Sequence, residues 1–122
     1  MRKTLTIRDK EITFESSAIT AIVYKKVFGE DLFSILGSDG TQASVAINIL
    51  DKVQQLAFIM AKQAEEMDIK DLIKLSELDY LFWLDDFEYT DMRSDDFVAN
   101  LLSIWSGNLE TSVKGKNAAG TQ

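Results

Sequence analysis

The sequence predicts a mainly α fold: a small helical domain around one long central helix, with a short N-terminal β-hairpin. Three observations point there. Residues 43–67 place Val45, Ala46, Ile49, Leu50, Val53, Leu56, Ala57, Met60 and Ala64 at spacings of three and four, the mark of an amphipathic helix of about six to seven turns. Asn48, Asp51, Lys52, Gln54, Gln55, Lys62 and Gln63 fill much of the other side, and no Gly interrupts the run. Residues 4–8 and 12–14 alternate polar and apolar, as a half-buried strand does. A length of 122 residues supports one domain with a real core but not two.

Taken in order, the hairpin spans residues 1–15, with Asp9-Lys10 between its strands and Leu5, Ile7, Ile12 and Phe14 as its buried side. Ser16-Ser17 is placed to cap a helix from Ala18 to Phe28. Ile19, Ile22, Val23 and Val27 form its inward stripe, Tyr24 and Phe28 flank it, and Gly29 stops it. A helical turn at 31–36 and a Gly-containing loop at 37–42 lead into the long helix. Asp68 caps a brief helix through Ile69, Leu72, Ile73 and Leu75, or the long helix continues with a kink. Ser76-Glu77-Leu78-Asp79 reads as a capping box opening a helix through Leu78, Leu81, Phe82, Trp83, Leu84 and Phe87. The last helix runs from Ser94 to Ser106 with Phe97, Val98, Leu101, Leu102 and Trp105 on one side, and Gly107 ends it. The domain closes at residue 113, and 114–122 hold nothing apolar enough to anchor them, so a disordered tail is expected.

Composition excludes several classes. No apolar run approaches the roughly 18 residues of a membrane span, and Arg2-Lys3 precedes a polar alternation rather than a signal-peptide block. A cytoplasmic chain with no membrane partner is expected. Absent Cys rules out disulfides and thiolate sites, and absent His removes the commonest general base and metal ligand. Net charge is −7, and residues 65–96 carry twelve acids against Lys70, Lys74 and Arg93. Such a surface repels phosphate backbones, so nucleic acid is not expected as a partner. It is either a solvated face or a docking surface for a basic protein.

No constellation supports chemistry. Asp85-Asp86 and Asp95-Asp96 are sequence neighbours that point about 100° apart on a helix, so neither pair is an acid/base dyad. Residues 85–96 lack the central Gly of a calcium loop, and no Lys follows Gly37-Ser38-Asp39-Gly40 as a phosphate loop requires. The expectation is no enzyme, no cofactor and no metal. The aromatics Trp83, Phe87 and Trp105 and the long helix's Met60 belong either to the core or to a partner-anchoring surface. Met60, Trp83, Asp85, Asp86, Phe87, Leu101 and Trp105 are therefore the candidate partner-binding residues.

The order of these pieces carries a resemblance. A hairpin leads into a Ser-capped helix ending Lys25-Lys26-Val27-Phe28-Gly29-Glu30-Asp31-Leu32. A long helix then carries Leu56-Ala57-Phe58-Ile59-Met60-Ala61-Lys62-Gln63-Ala64, and Ile104-Trp105-Ser106-Gly107-Asn108-Leu109-Glu110-Thr111-Ser112-Val113 lies near the end. Over residues 1–113 the chain resembles the tail assembly chaperones of long-tailed phages and prophages of Gram-positive bacteria. The Phe-Gly-x-Asp-Leu and Trp-x-x-Asn-Leu-Glu-Thr segments are the distinctive pieces. The loop 37–44 and the Ser-Glu-Leu-Asp helix start depart from the family's pattern.

The resemblance implies a non-enzymatic protein that binds the tape-measure protein and keeps it soluble while tail-tube subunits polymerise around it. It implies a helical homo-oligomer, a spiral or ring, that acts in the bacterial host's cytoplasm and is not retained in the mature virion. A frameshifted longer form is a further implied partner. Lys114-Gly115-Lys116 is compatible with a purine-rich slippery codon run at that point. The alternative role is a structural head–tail connector or tail-completion protein of the virion.

Overall fold

Residues 2–15 form the predicted hairpin. In the computed structural model, which describes residues 1–36 and 47–107, β1 (Arg2–Ile7) pairs antiparallel with β2 (Lys10–Glu15), and Leu5 stands opposite Ile12. Ile7 and Phe14 are buried, and Leu5 and Ile12 pack partly against the core. The turn is Arg8-Asp9, one residue earlier than expected, because Ile7 pairs with Lys10. Arg8 takes a left-handed φ of 55°, an uncommon conformation for a residue with a Cβ.

Five further elements follow as α1 (Thr20–Phe28), α2 (Leu32–Leu36), α3 (Ile47–Ala64), α4 (Ile69–Leu72) and α5 (Glu77–Leu84). A sixth helix, α6, covers residues 95–107. The fold is mainly α with a two-stranded sheet, as expected, but it is not organised around one long central helix. Instead of a single helix over 43–67, α3 has 18 residues, and among the described residues the helical content is spread over six helices. Residues 43–46 lie outside the described residues. At the other end the helix tightens through Glu65 N–H to Lys62 O and Glu66 N–H to Gln63 O, and Glu66 turns left-handed at φ 61°. The stop is made by a non-Gly residue in a conformation that Gly usually supplies, so no residue type announced it.

The second half of α3 is enclosed rather than amphipathic. Leu56, Ala57, Phe58, Ile59 and Met60 are all at 0% exposure, because β2, α1 and α5 pack around it. Its two buried glutamines stay satisfied: Gln54 Nε2 donates to the Tyr80 hydroxyl (3.0 Å), and Gln63 accepts from Thr20 Oγ1 (2.8 Å) while donating to Ser17 Oγ (2.6 Å). Unpaired, such amides would each cost about 1–3 kcal/mol.

Helix α1 starts at Thr20, two residues later than expected, with Ile19 at its N-cap and no side-chain cap. Ser16 is not a cap: it is fully buried and its hydroxyl donates to Ile104 O of α6 (2.7 Å). The buried face is Thr20, Val23 and Tyr24, while Ile22 is 56% exposed, so the inward stripe is rotated from the predicted one. Gly29 ends α1 at φ 77° as predicted. Asp31 Oδ1 then accepts from Phe33 N–H (2.9 Å) to start α2. The Phe28-Gly29-x-Asp31-Leu32 segment is thus a helix stop followed by a helix start, clamped by Phe28 on Tyr24, Phe58 and Tyr80 and by the buried Leu32.

Ser94 caps α6 by accepting from Phe97 N–H (3.1 Å), and Phe97, Val98, Leu101, Leu102 and Trp105 all turn inward as predicted. The loop 37–42, the Asn108–Val113 part of the resemblance and the expected tail at 114–122 lie outside the described residues.

Candidate interaction face

Helix α5 is built by its predicted cap. Ser76 Oγ accepts from Asp79 N–H (3.3 Å) and Asp79 Oδ2 accepts from Ser76 N–H (2.9 Å). That box fixes the start of an eight-residue helix too short to be stable alone. Packing supplies the rest: Tyr80 and Trp83 set their rings 5.5 and 5.6 Å from Phe58 of α3, and Tyr80 also meets Phe28 at 5.4 Å. Burial pushes the Tyr80 phenol above its ordinary pKa, and the Gln54 hydrogen bond partly offsets this.

With Tyr80 and Trp83 turned inward, the helical period sends Leu78, Leu81 and Phe82 outward. They are 59%, 56% and 68% exposed. At about 200 Å² per large apolar side chain, they present roughly 350 Å² of apolar surface, the size of the largest patch on a typical monomer, which is often functional. Ile69 and Ile73 of the α4 region are exposed as well. Asp85 follows Leu81 and Phe82 at the same helical spacing, so the apolar line ends in a carboxylate. No basic residue lies in the last turn of α5. Asp85 makes no ion pair with any described residue.

The segment after α5 is tied to the hairpin. Lys10 Nζ donates to Asp86 O (2.8 Å) and lies 5.0 Å from the Phe87 ring centroid, while Phe87 meets Trp83 in a tilted ring contact at 4.9 Å. Asp91 accepts from Arg8 Nη2 (3.0 Å) and Nε (3.2 Å) and from Glu88 N–H (2.8 Å). The Glu88 amide first, and Arg8 with it, hold the Asp91 carboxyl below its usual pKa. Arg93 stacks 4.3 Å from Tyr89 and pairs with Asp51 of α3. The outward face of α5 is therefore carried on an element fixed at both ends.

The predicted partner-binding residues divide into three groups. Met60, Leu101 and Trp105 are 0%, 0% and 1% exposed, so as surface anchors they are corrected: they sit on the inward faces of α3 and α6. Trp83 and Phe87 are half-buried, holding α5 against α3 and the hairpin. Asp85 and Asp86 are exposed. Leu78, Leu81 and Phe82 were not singled out as a binding face. The signal was present, since α5 carries two apolar lines, 78/81/82 and 80/83/84/87, and one core contact accommodates only one of them.

A cleft of about 570 Å³ opens between the hairpin and the ends of α3 and α5. Its walls mix Arg2, Lys10 and Lys62 with Glu11, Glu65 and Asp86, so it favours no one sign of ligand. Among the described residues no group of three or more Asp or Glu is placed to hold a metal, and no described helix is long and apolar enough to cross a membrane. No family model, no curated protein and no solved structure matches the chain.

Proposed function

We propose that this protein is a phage tail assembly chaperone that works by reversible burial. Its outward α5 face covers apolar helical faces of the tape-measure protein, and tail-tube protein displaces it as the tube polymerises. The resemblance over residues 1–113 supports the assignment, and the exposed Leu78, Leu81 and Phe82 carry it. A contiguous exposed apolar patch of this size is often functional. The reading narrows the capture surface from three helices, α3, α5 and α6, to α5, because the candidate residues Met60, Leu101 and Trp105 of the other two are buried. Acids at 77, 79, 85, 86 and 88 keep the chaperone and its complex soluble. In this reading the protein acts without enzymatic chemistry in the host cytoplasm as a homo-oligomer, with a frameshifted form beside it, and leaves before the virion matures.

Co-expression with the cognate tape-measure protein tests this. The tape-measure protein should be soluble and co-purify only when this chain is present. Insoluble tape-measure protein, with this chain recovered in purified particles, would replace the reading with the head–tail connector or tail-completion role.

A further inference from the structure

The chemistry of the α5 face narrows what it binds, taking the proposed function as its basis. The line Leu78–Leu81–Phe82–Asp85 is apolar for about one turn and ends, one turn on, in a carboxylate that pairs with no described base. Asp85 is the C-cap residue of α5 and Asp86 follows it, so both carboxylates stand at the negative end of the helix dipole, where acids are unfavourable. Lys10 reaches the Asp86 carbonyl, not the Asp85 carboxylate. A cation supplied from outside would relieve this repulsion and lie next to the apolar line.

We infer that α5 docks an amphipathic helix of a partner protein whose apolar stripe is followed, one turn on, by Lys or Arg. The apolar line supplies affinity by burial, and Asp85 sets the register and orientation of the incoming helix by charge. An acidic helix meets like charge and is rejected.

The test uses the full chain and two 20-residue synthetic helical peptides with the same Leu stripe, one flanked by Lys and the other by Glu. Isothermal titration at low salt should give binding of the Lys-flanked peptide at least about tenfold tighter than its Glu-flanked counterpart. Asp85→Lys should reverse that order. It should also raise the melting temperature, because a cation suits the helix end, which separates loss of recognition from loss of fold. Leu81→Ser with Phe82→Ser should abolish binding of both peptides while the protein stays folded by circular dichroism. Equal affinity for the two peptides, no binding of either, or an unchanged preference in Asp85→Lys would overturn the inference. If the peptides fail while the tape-measure protein is still solubilised, the charge rule falls and the chaperone reading stands. Peptide discrimination without tape-measure capture would instead keep the rule and remove the chaperone reading.

Discussion

Two phenylalanines, one on each side of the α5 contact, give the account its sharpest stability test. Phe58 is fully buried in α3 and touches Phe28, Tyr80 and Trp83. Phe58→Ala removes the surface on which α5 rests, and truncating a buried Phe costs about 3–5 kcal/mol. Unfolding entropy of roughly 2.1 cal/mol/K per residue, taken over 122 residues, converts that loss into a fall in melting temperature of about 12–20 °C. Phe82 lies three residues from the α5 C-cap and is 68% exposed. Its truncation to Ala loses little packing and gains helix propensity, so the change stays within about 0.5 kcal/mol, or about 2 °C. Differential scanning calorimetry of both variants at one protein concentration measures the contrast. A fall of about 8 °C or more in Phe82→Ala would refute the reasoning, because it would mean that the face is covered in the folded protein.

Further expectations concern the latch, the polar core and the tyrosines. Asp91→Asn leaves Arg8 without its counter-ion, and the expected loss is about 1 kcal/mol because Arg8 is half exposed; urea melts at pH 7 measure it. The Asp91 carboxyl pKa is depressed in the fold, so its contribution is present at neutral pH and is lost as pH falls below the ordinary carboxylate range. The acid limb of the stability curve should be shallower in Asp91→Asn than in the parent. Gln63→Ala removes two side-chain hydrogen bonds, to Thr20 Oγ1 and Ser17 Oγ, and should cost about 1–2 kcal/mol by chemical denaturation. Tyr24 is fully buried, and burial foremost, with Glu30 adding to it, raises its phenol above the ordinary value of 10.0. The fold therefore holds the proton more tightly than the unfolded chain, and stability should fall as pH rises past about 10. Tyr24→Phe should lessen that alkaline loss even though the hydroxyl's 2.9 Å bond to Gln55 is removed.

Local chemistry was readable where a residue type has one structural use. Gly29 at a helix stop, Ser76 with Asp79 at a helix start, and the alternation Leu5, Ile7, Ile12, Phe14 all hold. The end of α3 was not readable, because Glu66 adopts φ 61° without being Gly or Asn. Periodicity also misjudged α3 itself: Leu56, Ala57, Phe58, Ile59 and Met60 are buried in one unbroken run, and only the packing of β2, α1 and α5 determines that. The same limit applies to the binding face. Trp105 reads as a candidate anchor in the sequence and Phe82 does not, yet Trp105 is covered and Phe82 exposed, because tertiary packing decides which line of each helix the core takes. Asp85 and Asp86 are exposed at the end of the apolar line on α5.

The most direct measurement co-expresses the cognate tape-measure protein with either the parent chain or its Leu81→Ser, Phe82→Ser variant, and compares the soluble, co-purified fraction. The parent should keep the tape-measure protein in solution, and the variant, equally folded by circular dichroism, should leave most of it in the pellet. Equal solubilisation by the two chains would contradict capture by the α5 face.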